Sequence, residues 1–108
     1  MCVVRRKDKW DRKIGVGIKF QNLAVGKNTH MVRVVLEKGS SLPKHTHPEE
    51  QTGILLEGIM DLYINGKTYR VKKGDSWSTE SGVVHGVKVI EKCEVIEVFS
   101  PVREDYLQ

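Results

Sequence analysis

Gly39-Ser-Ser-Leu-Pro-Lys-His45-Thr-His47-Pro-Glu-Glu-Gln51, closed by Gly58, decides how this chain is read. His45 and His47 stand two residues apart. Side chains at even offsets on an extended strand leave the same face, so both imidazoles can reach one ion. A second glycine-bounded stretch, Gly74-Asp-Ser-Trp-Ser-Thr-Glu80-Ser-Gly82-Val-Val-His85, delivers a third imidazole after another tight turn. The alternative is that the histidines are polar rim residues of an ordinary β-barrel with no metal. Against it, a histidine-only cluster has no packing rationale, and close-set imidazoles repel once charged. Binding a metal removes that conflict.

The rest of the chain reads as strands. Apolar residues alternate through Ile14-Gly-Val16-Gly-Ile18-Lys-Phe20, the period of a strand with one buried face. Residues 31–36, 54–56, 59–64, 68–71, 83–90 and 93–99 read as further short β segments, set apart by Gly, Pro, Asn or charged turns. Asn65-Gly66 between two alternating runs is a hairpin signal, because both residues tolerate positive φ. Lys72-Lys73-Gly74-Asp75 and Glu91-Lys92 read as two more turns. No stretch shows a helical period, so the expected class is all-β, a barrel or jelly roll.

The 108 residues suffice for a single domain, 1–108, with a modest core. There is neither a long apolar run nor a charged-then-apolar start, so the expectation is a cytoplasmic protein with no membrane association. Cys2 and Cys93 lack CxxC companions and are expected to be free thiols. The net charge of +4 is local: residues 1–13 carry six bases against two acids, and the remainder balances. This basic N-terminal arm has no aromatic platform or reading helix beside it, so no nucleic-acid partner is expected. A solvated strand edge, or an arm packed on a second subunit, accounts for it.

The two histidine segments resemble the paired motifs of the cupin superfamily, Gly-x5-His-x-His-x3-Glu-x6-Gly and Gly-x5-Pro-x-Gly-x2-His-x3-Asn. Gly39, His45, His47, Gly58, Gly74, Gly82 and His85 fall at the family spacing, while Gln51, Glu80 and Val89 replace Glu, Pro and Asn. The resemblance implies a conical double-stranded β-helix, a jelly roll holding one divalent metal ion (Zn, Ni, Mn or Fe) on His45, His47, Gln51 and His85. A Gln oxygen can coordinate a cation but brings no charge, so such a site keeps the ion's double charge and favours an anionic ligand. Glu50 takes the place of Gln51 only if the strand is bulged; otherwise Glu49 and Glu50 face solvent. His30 shares an inward parity with Val32, Val34 and Leu36 and reads either as a substrate contact or as a core histidine satisfied by a backbone carbonyl.

The C-terminal run Glu97-Val-Phe99-Ser100-Pro101-Val-Arg103 carries a narrower resemblance, to the pectin-degradation cupins, whose strand ends Asp-x-Phe-Ser-Pro-x-Arg. Those proteins use His, His, Gln and His around the metal, and convert 4,5-unsaturated uronates left by pectate and alginate lyases to an open-chain keto form. The resemblance implies Glu97 and Arg103 as catalytic residues, with Phe99 and Arg103 in the pocket for a small anionic sugar-derived substrate. A structural Glu97–Arg103 ion pair is the plain alternative. The same scaffold also admits an iron-dependent dioxygenase or a non-catalytic module that binds a small acid or sugar. Parity puts Ile96 and Val98 opposite Glu97, on an outward apolar face that predicts a homodimer.

Overall fold

In the computed structural model, which describes residues 3–108, the chain forms β1 (Arg12–Lys13), β2 (Ile18–Val25), β3 (His30–Leu36), β4 (Ser41–His45), β5 (Glu50–Ile64), β6 (Lys67–Lys72), β7 (Ser76–Thr79), β8 (His85–Ser100) and one short helix, α1 (Glu104–Leu107). The long strands β5 and β8 pair antiparallel from Glu50 opposite Ser100 to Ile64 opposite His85. At one end of this ribbon β8 is flanked by β3 and β5 by β7, and β2 and β1 extend the sheet beyond β3. At the other end β4 flanks β8 and β6 flanks β5. The ribbon folds over on itself, so its two halves face each other as the layers of a jelly roll. None of the described helices is long and apolar enough to cross a membrane.

The bend explains where the expected strands differ from the observed ones. Segments 54–56 and 59–64 are one strand, and the expected 83–90 and 93–99 are another that begins only at His85. Glu57, Glu91 and Lys92 are exposed and lie within the continuous strands, so their charges do not mark a chain reversal. Register shifts cluster between Leu55 and Met60, and Gly58 sits among them at φ 99°. A Cβ on Gly58 would collide with the Lys92 carbonyl oxygen and the Cys93 sulfur, so only glycine lets the two strands approach there. The alternation at residues 14–20 also misleads. Gly15 and Gly17 adopt positive φ, the strand begins only at Ile18, and Val16 is 92% exposed.

Inward residues of both layers, among them Ile18, Phe20, Val34, Leu55 and Val95 from one and Met60, Leu62 and Val89 from the other, form the core. Each such side chain contributes about 1.5–3 kcal/mol by leaving water. Cys93 is a free, buried thiol that donates to the Glu91 carbonyl at 3.1 Å, whereas Cys2 lies outside the described residues. The described part of the basic arm lies along its own barrel. Gln21 donates to the Lys7 and Lys9 carbonyls, both at 2.9 Å, and the Trp10 ring lies beneath the Lys19 and Arg33 side chains.

Candidate metal and acid-base site

β4 ends on His45, and His85 opens β8 directly opposite it in the register. His47 follows in the β4–β5 turn, and Gln51 is the second residue of β5. Pro48 breaks the extended run between them, yet the ligand-type nitrogens of the three histidines lie within 4.8 Å of one another. Each ring is pinned in the same way. Nδ1–H donates to a backbone carbonyl two residues away: Pro43 at 2.8 Å for His45, Glu49 at 2.9 Å for His47, and Val83 at 2.8 Å for His85. A carbonyl only accepts, so Nδ1 holds a proton, and in the neutral ring Nε2 presents the lone pair.

Burial, and then the Arg103 charge, lowers the pKa of His47; burial, and then its neighbouring imidazoles, lowers that of His85. Both rings are therefore neutral near pH 7. The His47 Nε2 lone pair faces Gln51 Oε1 at 2.7 Å, so two acceptors meet with no proton between them. A cation resolves that contact, which makes the donor set of three imidazole nitrogens and one amide oxygen a fit for a divalent metal ion.

The other end of the Gln51 amide explains why the residue is not Glu. Its Nε2 donates to Glu97 Oε2 at 3.3 Å, which leaves Oε1 for the ion. A Glu at position 51 would lose that donor and set two carboxylates side by side, raising the pKa of at least one. Glu97 occupies the inner face of β8, paired across the ladder with Gly53. Burial pushes its carboxyl up to about 7, against the pull of Arg103. A Cβ on Gly53 would lie 2.6–2.8 Å from the Trp77 indole, so the glycine lets that ring cover the barrel interior beside Glu97.

The Glu97–Arg103 ion pair does not form. The Arg103 guanidinium takes Asp105 through two bonds of 3.2 Å, reaches within 4.0 Å of Glu49, and lies 3.9 Å over the Tyr106 ring and 5.1 Å from that of Phe99. Arg103 thus acts on Glu97 through its charge. Phe99 is fully buried and edge-on to His47, with ring centroids 5.8 Å apart, so it supports that imidazole from beneath.

A family model described as the cupin domain matches residues 32–99. The chain belongs to the cupin family. Across 100 residues this cupin is 31% identical to the pectin degradation protein KdgF of Dickeya dadantii (strain 3937), covering 91% of this chain and 90% of that one. The structure of KdgF from Halomonas sp. superposes with a TM-score of 0.84 at 26% identity, covering 90% and 91% of the two chains. An RmlC-like cupin from Shewanella frigidimarina NCIMB 400 gives a TM-score of 0.85 at 28% identity, covering 91% and 87%.

Two residues of this cupin, Glu49 and His30, depart from the sequence-based expectation, and Glu50 follows it. The Glu49 side chain is only 14% exposed, 3.5 Å from His47 Nδ1, and does not face solvent, because the turn at Pro48 abolishes strand parity. Glu50 is exposed, so the bulged alternative to Gln51 is not realised. His30 is a fully buried core histidine, but its partners are not a carbonyl: Nδ1 accepts from the Arg103 N–H at 3.2 Å, and Nε2 donates to Asn22 Oδ1 at 2.7 Å. It anchors the Arg103 backbone beside the site.

Two further residues carried no sequence signal. Tyr106 stacks on Phe20 with centroids 4.3 Å apart and carries Arg103 on its face. Burial pushes its phenol up to about 12. Thr79 pairs across the ladder with Gln51 and is 1% exposed, and its Oγ1 has no hydrogen-bond partner among the described residues.

Proposed function

We propose that the protein is a metal-dependent enzyme that opens and ketonises small 4,5-unsaturated uronates of the kind released from pectin or alginate. The supporting observation is Glu97: a carboxyl with a pKa near ambient pH, on the inner face of the barrel, bonded to the amide whose oxygen faces the histidines. The likeness to KdgF, a pectin degradation protein by name, supports this substrate class. A divalent ion on His45, His47, Gln51 and His85 supplies Lewis acidity to a substrate oxygen; Zn, Ni, Mn and Fe all suit the donor set.

The reaction is an isomerisation. The hydroxyl at C1 loses a proton, the bond from C1 to the ring oxygen breaks, that oxygen becomes the C5 ketone, and C4 gains a proton. Protons and electrons balance without a redox partner. With both ionisation states populated near pH 7, Glu97 can accept one proton and return another. Arg103 keeps the carboxyl from rising further and adds positive potential for an anionic substrate.

The test is turnover on pectate- and alginate-lyase monouronates, followed by loss of the double-bond absorbance, alongside metal analysis. The expected result is turnover that falls about a hundred- to ten-thousand-fold in Glu97→Gln, with metal content and melting temperature close to those of the parent protein. Oxygen uptake with substrate would reassign the protein as a dioxygenase, and affinity without turnover as a binding module.

We further propose a homodimer through the outer face opposite Glu97. There Ile54 pairs with Ile96, and Val98 lies between Thr52 and Met31. Ile54 and Met31 are 38% and 39% exposed, an apolar patch over a shallow depression of about 510 Å³. A second copy covers such a face at least cost. Sedimentation should show a dimer at micromolar concentration that Ile96→Glu dissociates; a monomeric parent protein rules the interface out.

A further inference from the structure

A cleft of about 510 Å³ opens beside His45 of the candidate metal site, lined among others by Arg12, Leu42, Pro43, Arg103 and Tyr106. Its volume falls within the usual range of small-molecule sites, about 300–1,000 Å³. Two arginines face this space, and they are not equivalent. The planar fork of Arg103 is already filled by the Asp105 carboxylate. Arg12 has no carboxylate partner among the described residues.

The fold holds Arg12 in place without neutralising it. Strand parity pairs Arg12 with the buried Phe20 and Lys13 with Lys19, so the two side chains leave opposite faces and Arg12 leans to the inner side of the sheet edge, although Lys13 also lines the cleft. The Arg12 guanidinium lies 5.3 Å from the Phe20 ring centroid and 5.7 Å from that of Tyr106. Its Nη2 donates to the Asp105 backbone carbonyl at 2.9 Å. One of five donors is thereby used, on a neutral acceptor, and the rest keep their charge and fork geometry. A guanidinium braced on two aromatic rings at the rim of a cleft that ends on a metal-site histidine is a built receptor for a planar anion.

We propose that Arg12 is the carboxylate anchor of this cleft: it binds the acid group of a sugar-acid ligand whose ring extends toward His45. The inference rests on the uronate reading above for its ligand class, and it adds the residue that selects acid over neutral sugar. The N-terminal β1 strand is then a wall of the binding site.

Calorimetry on the metal-loaded, full-length protein tests this with two stable probes, galacturonate and its methyl ester, which differ in the charge of the acid group and by one methyl. The parent protein should bind galacturonate more tightly than the ester, with an affinity that falls as salt rises. Arg12→Gln should weaken galacturonate about tenfold and leave the ester within twofold, and Arg12→Lys should recover part of the loss. Equal weakening of both probes, no weakening of either, or no preference for the acid in the parent protein would overturn the assignment. If Arg12→Gln lowers the melting temperature sharply, Arg12→Lys and the salt dependence of the parent protein carry the decision. Turnover is not part of this readout. Arg12-dependent acid binding without ketonisation would sink the proposed reaction and leave the anchor standing, whereas ketonisation with charge-blind binding would do the reverse.

Discussion

The two ends of the barrel interior are built from the same strands and do opposite things. On β8 the inward row runs Cys93, Val95, Glu97, Phe99; on β5 it runs Gln51, Gly53, Leu55; on β3 it runs His30, Val32, Val34, Leu36. One end of these rows is apolar and closed, with Leu55 and Phe20 at 0% exposure and Val95 at 1%. The other holds His30, His47, Gln51, Thr79, His85 and Glu97; there Thr79 Oγ1 lacks a partner among the described residues, and His47 faces Gln51 lone pair to lone pair. The closed end satisfies itself by burying area. The polar end is complete only with a cation, so stability and chemistry are separable along one strand and should fail separately.

The largest effect should come from the polar end. His85→Ala removes a 5% exposed ligand from the cluster, so dialysed protein should lose stoichiometric metal and uronate turnover together. Metal retained at one equivalent would show that the cluster is not the ion's seat. At the closed end, Leu55→Ala should cost about 2–5 kcal/mol of stability while leaving metal content and turnover per folded molecule near normal. Denaturant unfolding with parallel metal analysis separates the two cases. A Leu55→Ala protein that folds but binds no ion would break the division between the ends.

Gln51→Glu sharpens the comparison from inside the site. A carboxylate in place of the amide brings negative charge to the ion and like charge to Glu97, while removing the 3.3 Å donor. Metal should bind more tightly in a chelator competition, and the acid limb of the pH–rate profile should move to higher pH. An unchanged profile would mean that the amide does not connect ion and acid.

The sequence disclosed the polar end better than its geometry. His45, His47 and His85 could be picked out because metal ligation fixes both residue type and spacing, and Glu97 because strand parity and the Phe-Ser-Pro run locate it. The partners of Arg103 could not, because Asp105 and Tyr106 come to it from a one-turn helix with no period to read, and His30 meets its backbone from another strand. The two long strands each read as two short ones for a related reason: charge at Glu57, Glu91 and Lys92 reads locally as a turn, and only contact with the opposite strand at Gly58 reveals a bend. Residues 1–13 read as a solvated strand edge or an arm packed on a second subunit, because nothing in them announces the rings of Phe20 and Tyr106 that brace Arg12.

The smallest effect expected is also the most specific, and it concerns Glu97 in metal-free protein. Its folded-state value is raised from an ordinary 4.5 to about 7, chiefly by burial, so the folded state holds this proton more tightly than the unfolded chain does. The stability gained is present in full below about 4.5 and is lost as pH rises through about 7. His30, His47 and His85 act in the opposite sense: their values are lowered by burial from 6.5, so their contribution is present above that pH and lost in acid. The parent curve mixes both trends, but the difference between Glu97→Gln and parent isolates one. Gln resembles the protonated acid and cannot ionise. Its stability relative to parent should therefore grow between pH 5 and pH 8, by at most about 3 kcal/mol on the linkage of pKa to free energy. Loading the metal should shrink this difference, because a nearby cation favours the ionised Glu97 of the parent protein. A difference that stays flat with pH in the metal-free protein would mean that Glu97 is not desolvated, and would remove the physical basis for an acid poised near neutrality.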